Sequence, residues 1–174
     1  MTLERAEKMM EGIKRLTSGE KVALKRSLGQ VLSADSPGAM VAFYRAFPGV
    51  KEGKELPFFL CACGACAMES LHGRPLGFVA ALKMLAAQEY PEGTRRKLLA
   101  LLDTPMEFGA LFAAKLGRLI QYMKAKDINV DFAGLLQDLC AWDQPGGRIQ
   151  RKWAREFFGD RKESDNKEEN QNVD

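Results

Sequence analysis

Strand signals, histidine and long apolar runs are all scarce in this chain of 174 residues. No run of about 18 apolar residues occurs, which excludes a membrane-spanning helix, and no apolar h-region opens the chain, so a soluble cytoplasmic protein is expected. Four cysteines are too few for a disulfide scaffold at this length and fit a reducing compartment. A lone histidine, His72, excludes chemistry that needs a histidine pair, and GxSxG, GxGxxG, P-loop and HExxH motifs are all missing. The acids at hand, Glu69, Asp103, Asp127 and Asp131, stand at expected helix ends or polar faces, where capping and solvation account for them. The sequence therefore predicts no enzyme and no cofactor. No repeat of 20 to 50 residues is visible, which removes solenoid folds.

What the chain does have is a 46% hydrophobic composition, enough to bury a core without a metal staple. Its formal charge of +3 understates the folded part. The last fifteen residues, DRKESDNKEENQNVD, hold six acids against three bases and a single aliphatic residue, Val173, so this tail is expected to be disordered. Residues 1–159 carry 23 basic against 17 acidic residues, a net +6.

Between proline and glycine breaks the periodicity is helical. Helices are predicted over Leu3 to Leu16, Lys21 to Gly29, Pro37 to Phe47, Leu56 to Leu71, Pro75 to Gln88, Glu92 to Leu102, Pro105 to Lys126, Asp131 to Trp142 and Gly147 to Phe158. Ser36 before Pro37, Thr104 before Pro105, and Asp131 are the start signals. The expected fold is all-α, about eight or nine helices in two small packed subdomains, residues 1–90 and 91–159, parted by the Tyr90 to Gly93 loop and followed by the tail at 160–174. On the long helix, Phe108, Phe112, Leu116, Leu119, Ile120 and Met123 form an apolar arc, with Lys115, Arg118 and Tyr122 on its flank. On the last helix Arg148, Arg151, Lys152 and Arg155 share one side, and Ile149, Trp153 and Phe157 fill another.

The segment FFLCACGACAMESLHGRPLG poses a choice. Cys61, Cys63, Cys66 and His72 form a C-x-C-x2-C-x5-H set, sufficient in type for a four-coordinate zinc or, less readily, an iron-sulfur site, and so for a metal-binding helical sensor or redox protein. On a helix, however, Cys61 points about 160° away from Cys63, and the run is apolar and rich in small residues. A buried helix with inert thiols is the simpler reading.

The basic residues recur in groups: Lys25-Arg26, Arg45, Arg95-Arg96-Lys97, Lys115 with Arg118, and the Arg148 to Arg155 stripe. Most lack an acid four residues away, the exceptions being Arg96 with Glu92 and Lys152 with Glu156. Such surfaces hold backbone phosphates without reading sequence. A sequence-reading DNA regulator fits less well, since no helix presents the Asn, Gln and Arg mix of base contacts.

The stretch INVDFAGLLQDLCAWDQPGGRIQRKWAREFF, residues 128–158, resembles the C-terminal signature of the CasB family, the small subunit of the type I-E CRISPR Cascade complex. Asp131, Phe132, Leu135, Leu136, Asp138, Leu139, Trp142, Arg148, Arg151, Trp153, Ala154, Arg155 and Phe157 fit that pattern. More weakly, ALKRSLG, AFYRAFP, the Leu-His pair before PLGFVAALKML, Arg95-Arg96 and LGRLI are similar to further family positions, so the likeness spans roughly residues 1–159. The resemblance implies an all-α, non-catalytic subunit present in two copies, beside crRNA-bearing backbone subunits and below the large subunit. It would stabilise an R-loop by holding target and displaced DNA strands. The nucleic-acid contacts it implies are Lys25, Arg26, Arg45, Arg96, Arg118, Arg148 and Arg151, with Arg155 joining them. The triple cysteine departs from the family pattern.

Overall fold

The computed structural model describes residues 1–88 and 91–159. Glu89 and Tyr90, at the expected subdomain boundary, and the acidic tail lie outside the described residues.

Nine α-helices occur among the described residues: α1 (Leu3–Met10), α2 (Ser18–Arg26), α3 (Pro37–Ala46), α4 (Glu55–Met68), α5 (Phe78–Gln88), α6 (Pro91–Leu102), α7 (Gly109–Ala125), α8 (Phe132–Leu139) and α9 (Arg148–Phe158). None of these is long and apolar enough to cross a membrane. The one extended pairing among them is a lone parallel bridge between Leu76 and Val130, where Leu76 N donates to Asn129 O at 3.0 Å and Asp131 N to Leu76 O at 2.8 Å.

α4 is apolar on nearly every side and is accordingly the central element. It packs against α2, α7 and α8, while α1 lies across α8, and α5 lies against α6, α7 and α9. Buried side chains from Ala6 to Trp153 form one continuous cluster, so helices from both ends of the chain share a core. Gly64 makes the α4–α8 crossing close, since a Cβ there would lie 2.3 Å from the Phe132 ring.

The helix bounds differ from the sequence reading at points with local causes. The first helix breaks at Met10 and continues as a 3-10 turn, Glu11–Arg15, because buried Gly12 sits against the Ala46 carbonyl, 2.1 Å from where a Cβ would be. α2 begins at Ser18, not Lys21. Thr17 and Glu20 form a reciprocal capping box there, Thr17 N donating to the Glu20 carboxylate at 2.7 Å and Glu20 N to the Thr17 hydroxyl at 3.3 Å. α5 starts three residues late because the Leu76 backbone is used in the bridge. The expected helix from Pro105 starts only at Gly109: residues 105–108 turn, and Phe108 is 56% exposed instead of joining the apolar arc. Thr104 does not cap it; its hydroxyl donates back to Ala100 O at 2.7 Å. Ser36 makes no capping bond with its side chain, and Pro37 opens α3 by its fixed φ. Asp131 caps α8 as expected, accepting from Ala133 N and Gly134 N at 3.0 and 3.1 Å, but α8 ends at Leu139.

Candidate nucleic-acid interface

α9 shows how an apolar anchor presents charge. Gly146 and Gly147 both have left-handed backbones, φ 84° and 58°, which turns the chain sharply from the α8 end into α9. Ile149 and Trp153 are then buried, and a column of rings runs beneath the helix. Phe112 meets Trp142 at 5.2 Å, Trp142 meets Trp153 at 5.0 Å, and Trp153 meets Phe78 at 4.7 Å between centroids. Polar ends are satisfied as well: Trp142 Nε1 donates to Thr104 O at 3.0 Å and Trp153 Nε1 to Asp138 Oδ2 at 2.7 Å. The opposite side of α9 is a surface groove of about 250 Å³ lined by Arg148, Arg151, Lys152 and Arg155.

Within that groove the four cations are not equivalent. Lys152 is paired with Asp138, both carboxylate oxygens at 3.0 Å, and not with Glu156 as the sequence spacing suggested. Among the described residues, Arg148, Arg151 and Arg155 form no ion pair, and all three are exposed. Three guanidinium groups on one rigid face therefore stand open to solvent anions.

The remaining predicted residues occupy other helices. Lys25 and Arg26 are exposed in the last turn of α2. Arg45, in the last turn of α3, pairs with Glu20 at 2.9 Å. The Thr17 backbone N–H, then the Thr17 hydroxyl and Arg45, hold the Glu20 carboxyl below its ordinary value. Arg45 is still 60% exposed at its side chain, so the pair is a weak surface one. In α6, Glu92 pairs with Arg95 at 3.0 Å, not with Arg96 as the spacing suggested, and Arg95 also covers the Phe158 ring at 5.6 Å. Lys97 lies over Tyr122 at 5.1 Å. Arg96 and Arg118 are exposed and have no ion pair among the described residues. The α9 residues thus converge on one groove, whereas Lys25-Arg26, Arg45, Arg96 and Arg118 sit on α2, α3, α6 and α7.

Lys115 belongs to a different class from its neighbour Arg118. Its ammonium donates to Ala100 O at 3.0 Å and to the Thr104 hydroxyl at 2.7 Å, closing the last turn of α6 onto α7. A residue the sequence reading passed over is Lys124, whose pKa is held below the ordinary lysine value by burial first and then by the Lys25 charge. Its sequence signal was faint, a basic residue in a last helical turn with Ile120 four positions before it.

The cysteine set does not assemble. Cys61, Cys63 and Cys66 are buried along α4, and His72 is exposed beyond its end. Among the described residues no three His, Cys, Asp or Glu side chains come together in a metal-holding group. Burial pushes all three thiols up, Cys66 to about 11.

Comparison with known proteins gives this arrangement a family. A family model described as CRISPR-associated protein Cse2 matches residues 20–158. A protein of Thermus thermophilus named CRISPR-associated protein Cse2 is 36% identical over 64 residues, 37% of this chain and 34% of that protein, so the match spans about a third of the relative's length. Among solved structures, CasB from M. ruber superposes with a TM-score of 0.72 at 21% identity, covering 89% of this chain and 93% of that one. A chain of a CRISPR RNA-guided surveillance complex superposes with a TM-score of 0.71 at 19% identity, covering 89% and 92%.

Proposed function

The chain belongs to the CRISPR-associated Cse2 family, and from that premise we propose that it is the non-catalytic small subunit of a type I-E Cascade surveillance complex. It acts by holding nucleic acid electrostatically and by scaffolding, in antiviral defence in the cytoplasm. Its partners are the crRNA-bearing backbone subunits, the other Cascade subunits and a second copy of itself, together with the target and displaced DNA strands. Base pairing with the guide reads the sequence, and this subunit steadies the opened strands through their phosphates.

The observation that carries the reading is the α9 groove, where Arg148, Arg151 and Arg155 stand unpaired among the described residues on a helix whose other side is locked by Trp153. Cations neutralised by nearby acids contribute little to phosphate binding, so open guanidinium groups on a rigid support are the feature that matters. Lys25, Arg26, Arg45, Arg96 and Arg118 extend the contact along α2, α3, α6 and α7.

The test is assembly. The full chain, co-expressed with the other subunits and a guide RNA, is expected to co-purify with the guide-bearing complex, and its omission is expected to shorten the lifetime of the R-loop on target DNA. A complex that forms without recruiting the chain, or an R-loop equally stable in its absence, would overturn the proposal.

A further inference from the structure

Three cations of the α9 groove, Arg148, Arg151 and Arg155, lack an ion pair among the described residues, and an acidic segment of the same chain begins five residues after the last of them. The fourth cation, Lys152, shows what quenches this groove: the Asp138 carboxylate sits on it, both oxygens at 3.0 Å. α9 ends at Phe158, and the Gly159 N–H still closes its last turn on Arg155 O at 2.8 Å. Residues 160–174 are therefore attached one turn from Arg155. They hold six acids against three bases, and Glu163, Asp165, Glu168 and Glu169 put four carboxylates into seven positions with Lys167 the single base among them. The family match ends at residue 158, so the shared fold does not account for this segment.

The span is sufficient. Eleven residues make α9 about 16 Å long at a rise of ~1.5 Å per residue, while extended chain covers up to ~3.5 Å per residue. A chain that turns back after Gly159 can thus lay residues 163–169 beside Arg155, Arg151 and Arg148 in turn. An acidic run alone has an ordinary explanation, since added Asp and Glu keep a protein soluble. Solubility, however, is indifferent to where the run is attached. Attachment here holds four carboxylates at an effective concentration on the order of millimolar beside a groove of opposite sign. Single surface pairs are weak, but several acting together form a network. Carboxylate and phosphate engage a guanidinium fork in the same bidentate manner, so the two compete for the same donors.

We propose that the acidic segment 163–169 occupies the α9 groove of its own chain and that nucleic acid binds there by displacing it. The occupancy stands on charge and attachment, whereas the displacement rests on the nucleic-acid reading. An isolated phosphate loses to a tethered competitor, while a strand held by the rest of a complex brings several phosphates at once. The groove is thereby reserved for strands already delivered to it.

Two measurements on the full chain test this. In the first, a zero-length carbodiimide couples amines to touching carboxylates, and Lys152 couplings in the monomer are mapped by mass spectrometry with Lys152–Asp138 as internal reference. Coupling of Lys152 to Glu163, Asp165, Glu168 or Glu169 is expected, and it should drop severalfold when Arg148→Gln, Arg151→Gln and Arg155→Gln are combined. Coupling that ignores the three arginines reports the tether alone and overturns the occupancy, as does the reference coupling without any to the segment.

In the second, binding of a mixed-sequence single-stranded oligonucleotide is followed against salt, with and without Glu163→Gln, Asp165→Asn, Glu168→Gln and Glu169→Gln together. Neutralising the segment is expected to tighten binding severalfold at low salt, and the gain should fade as salt screens the segment from the groove. In the background lacking the three arginines the same four changes should have no effect. An equal gain in both backgrounds is a long-range charge effect and overturns the displacement, as does unchanged affinity with the arginines present. Arginine-dependent coupling in a chain that binds no oligonucleotide supports the occupancy and counts against the nucleic-acid reading. Oligonucleotide binding without arginine-dependent coupling overturns the occupancy and leaves that reading standing.

Discussion

The indole of Trp153 donates a 2.7 Å hydrogen bond to Asp138, the same carboxylate that holds Lys152. One acid thus locks α9 onto α8 and withdraws one of four cations from the groove. Asp138→Ala leaves a buried indole N–H unpaired and is expected to cost about 1.5–3 kcal/mol, read by urea unfolding. It also frees Lys152, so oligonucleotide affinity is expected to hold or rise in the folded protein. Loss of affinity without loss of stability would show that Asp138 serves the surface in another way.

Gly29, in the turn after α2, rests directly on Gly117 of α7. Gly117→Ala forces a Cβ to 2.4 Å from backbone, and backbone cannot yield as a side chain tip does. A loss of about 1–3 kcal/mol is expected, measured by thermal or urea unfolding. A neutral substitution would mean that the turn at Gly29 moves away from α7 at no cost.

Lys115 and Arg118 separate structure from surface on a single helix. Lys115→Met removes donors to Ala100 O and the Thr104 hydroxyl, and is expected to lower stability by about 1–3 kcal/mol with an unchanged salt slope of oligonucleotide binding. Arg118→Glu should do the reverse.

The helices were legible because their periodicity is local: α9 displays Ile149 and Trp153 on one side and its arginines on the other in the sequence itself. The capping box at Thr17 and Glu20 was equally local, but Gly19 between them reads as a break. The state of each cation was not legible. Lys152 finds Asp138, Arg45 finds Glu20 and Lys115 finds Thr104 on other elements, where an i,i+4 rule has no reach. The cysteine cluster drew attention by rarity, yet helical geometry alone already directed Cys61 and Cys63 apart.

The buried thiols set an alkaline limit. A thiol whose pKa is raised by folding keeps its proton where the unfolded chain loses it, so its stabilising effect is complete below the unfolded value, ~8.5. That effect declines as pH rises from there through about 11 for Cys66. Urea unfolding between those limits is expected to show stability falling by at most ~1.4 kcal/mol per pH unit for each such thiol, with a shallower fall in Cys66→Ala. Parallel curves would contradict the burial of this thiol.

The most direct measurement is the salt dependence of oligonucleotide binding by the full chain carrying Arg148→Glu and Arg151→Glu, with folding checked by circular dichroism and melting temperature. Both arginines are exposed and lie on the side of α9 away from Trp153, so the fold is expected to persist. Affinity should fall at least tenfold, and the log–log salt slope should drop by about 1.4 or more, two phosphate contacts' worth. Wild-type affinity and slope in the folded double variant would contradict the α9 groove as the phosphate-holding surface.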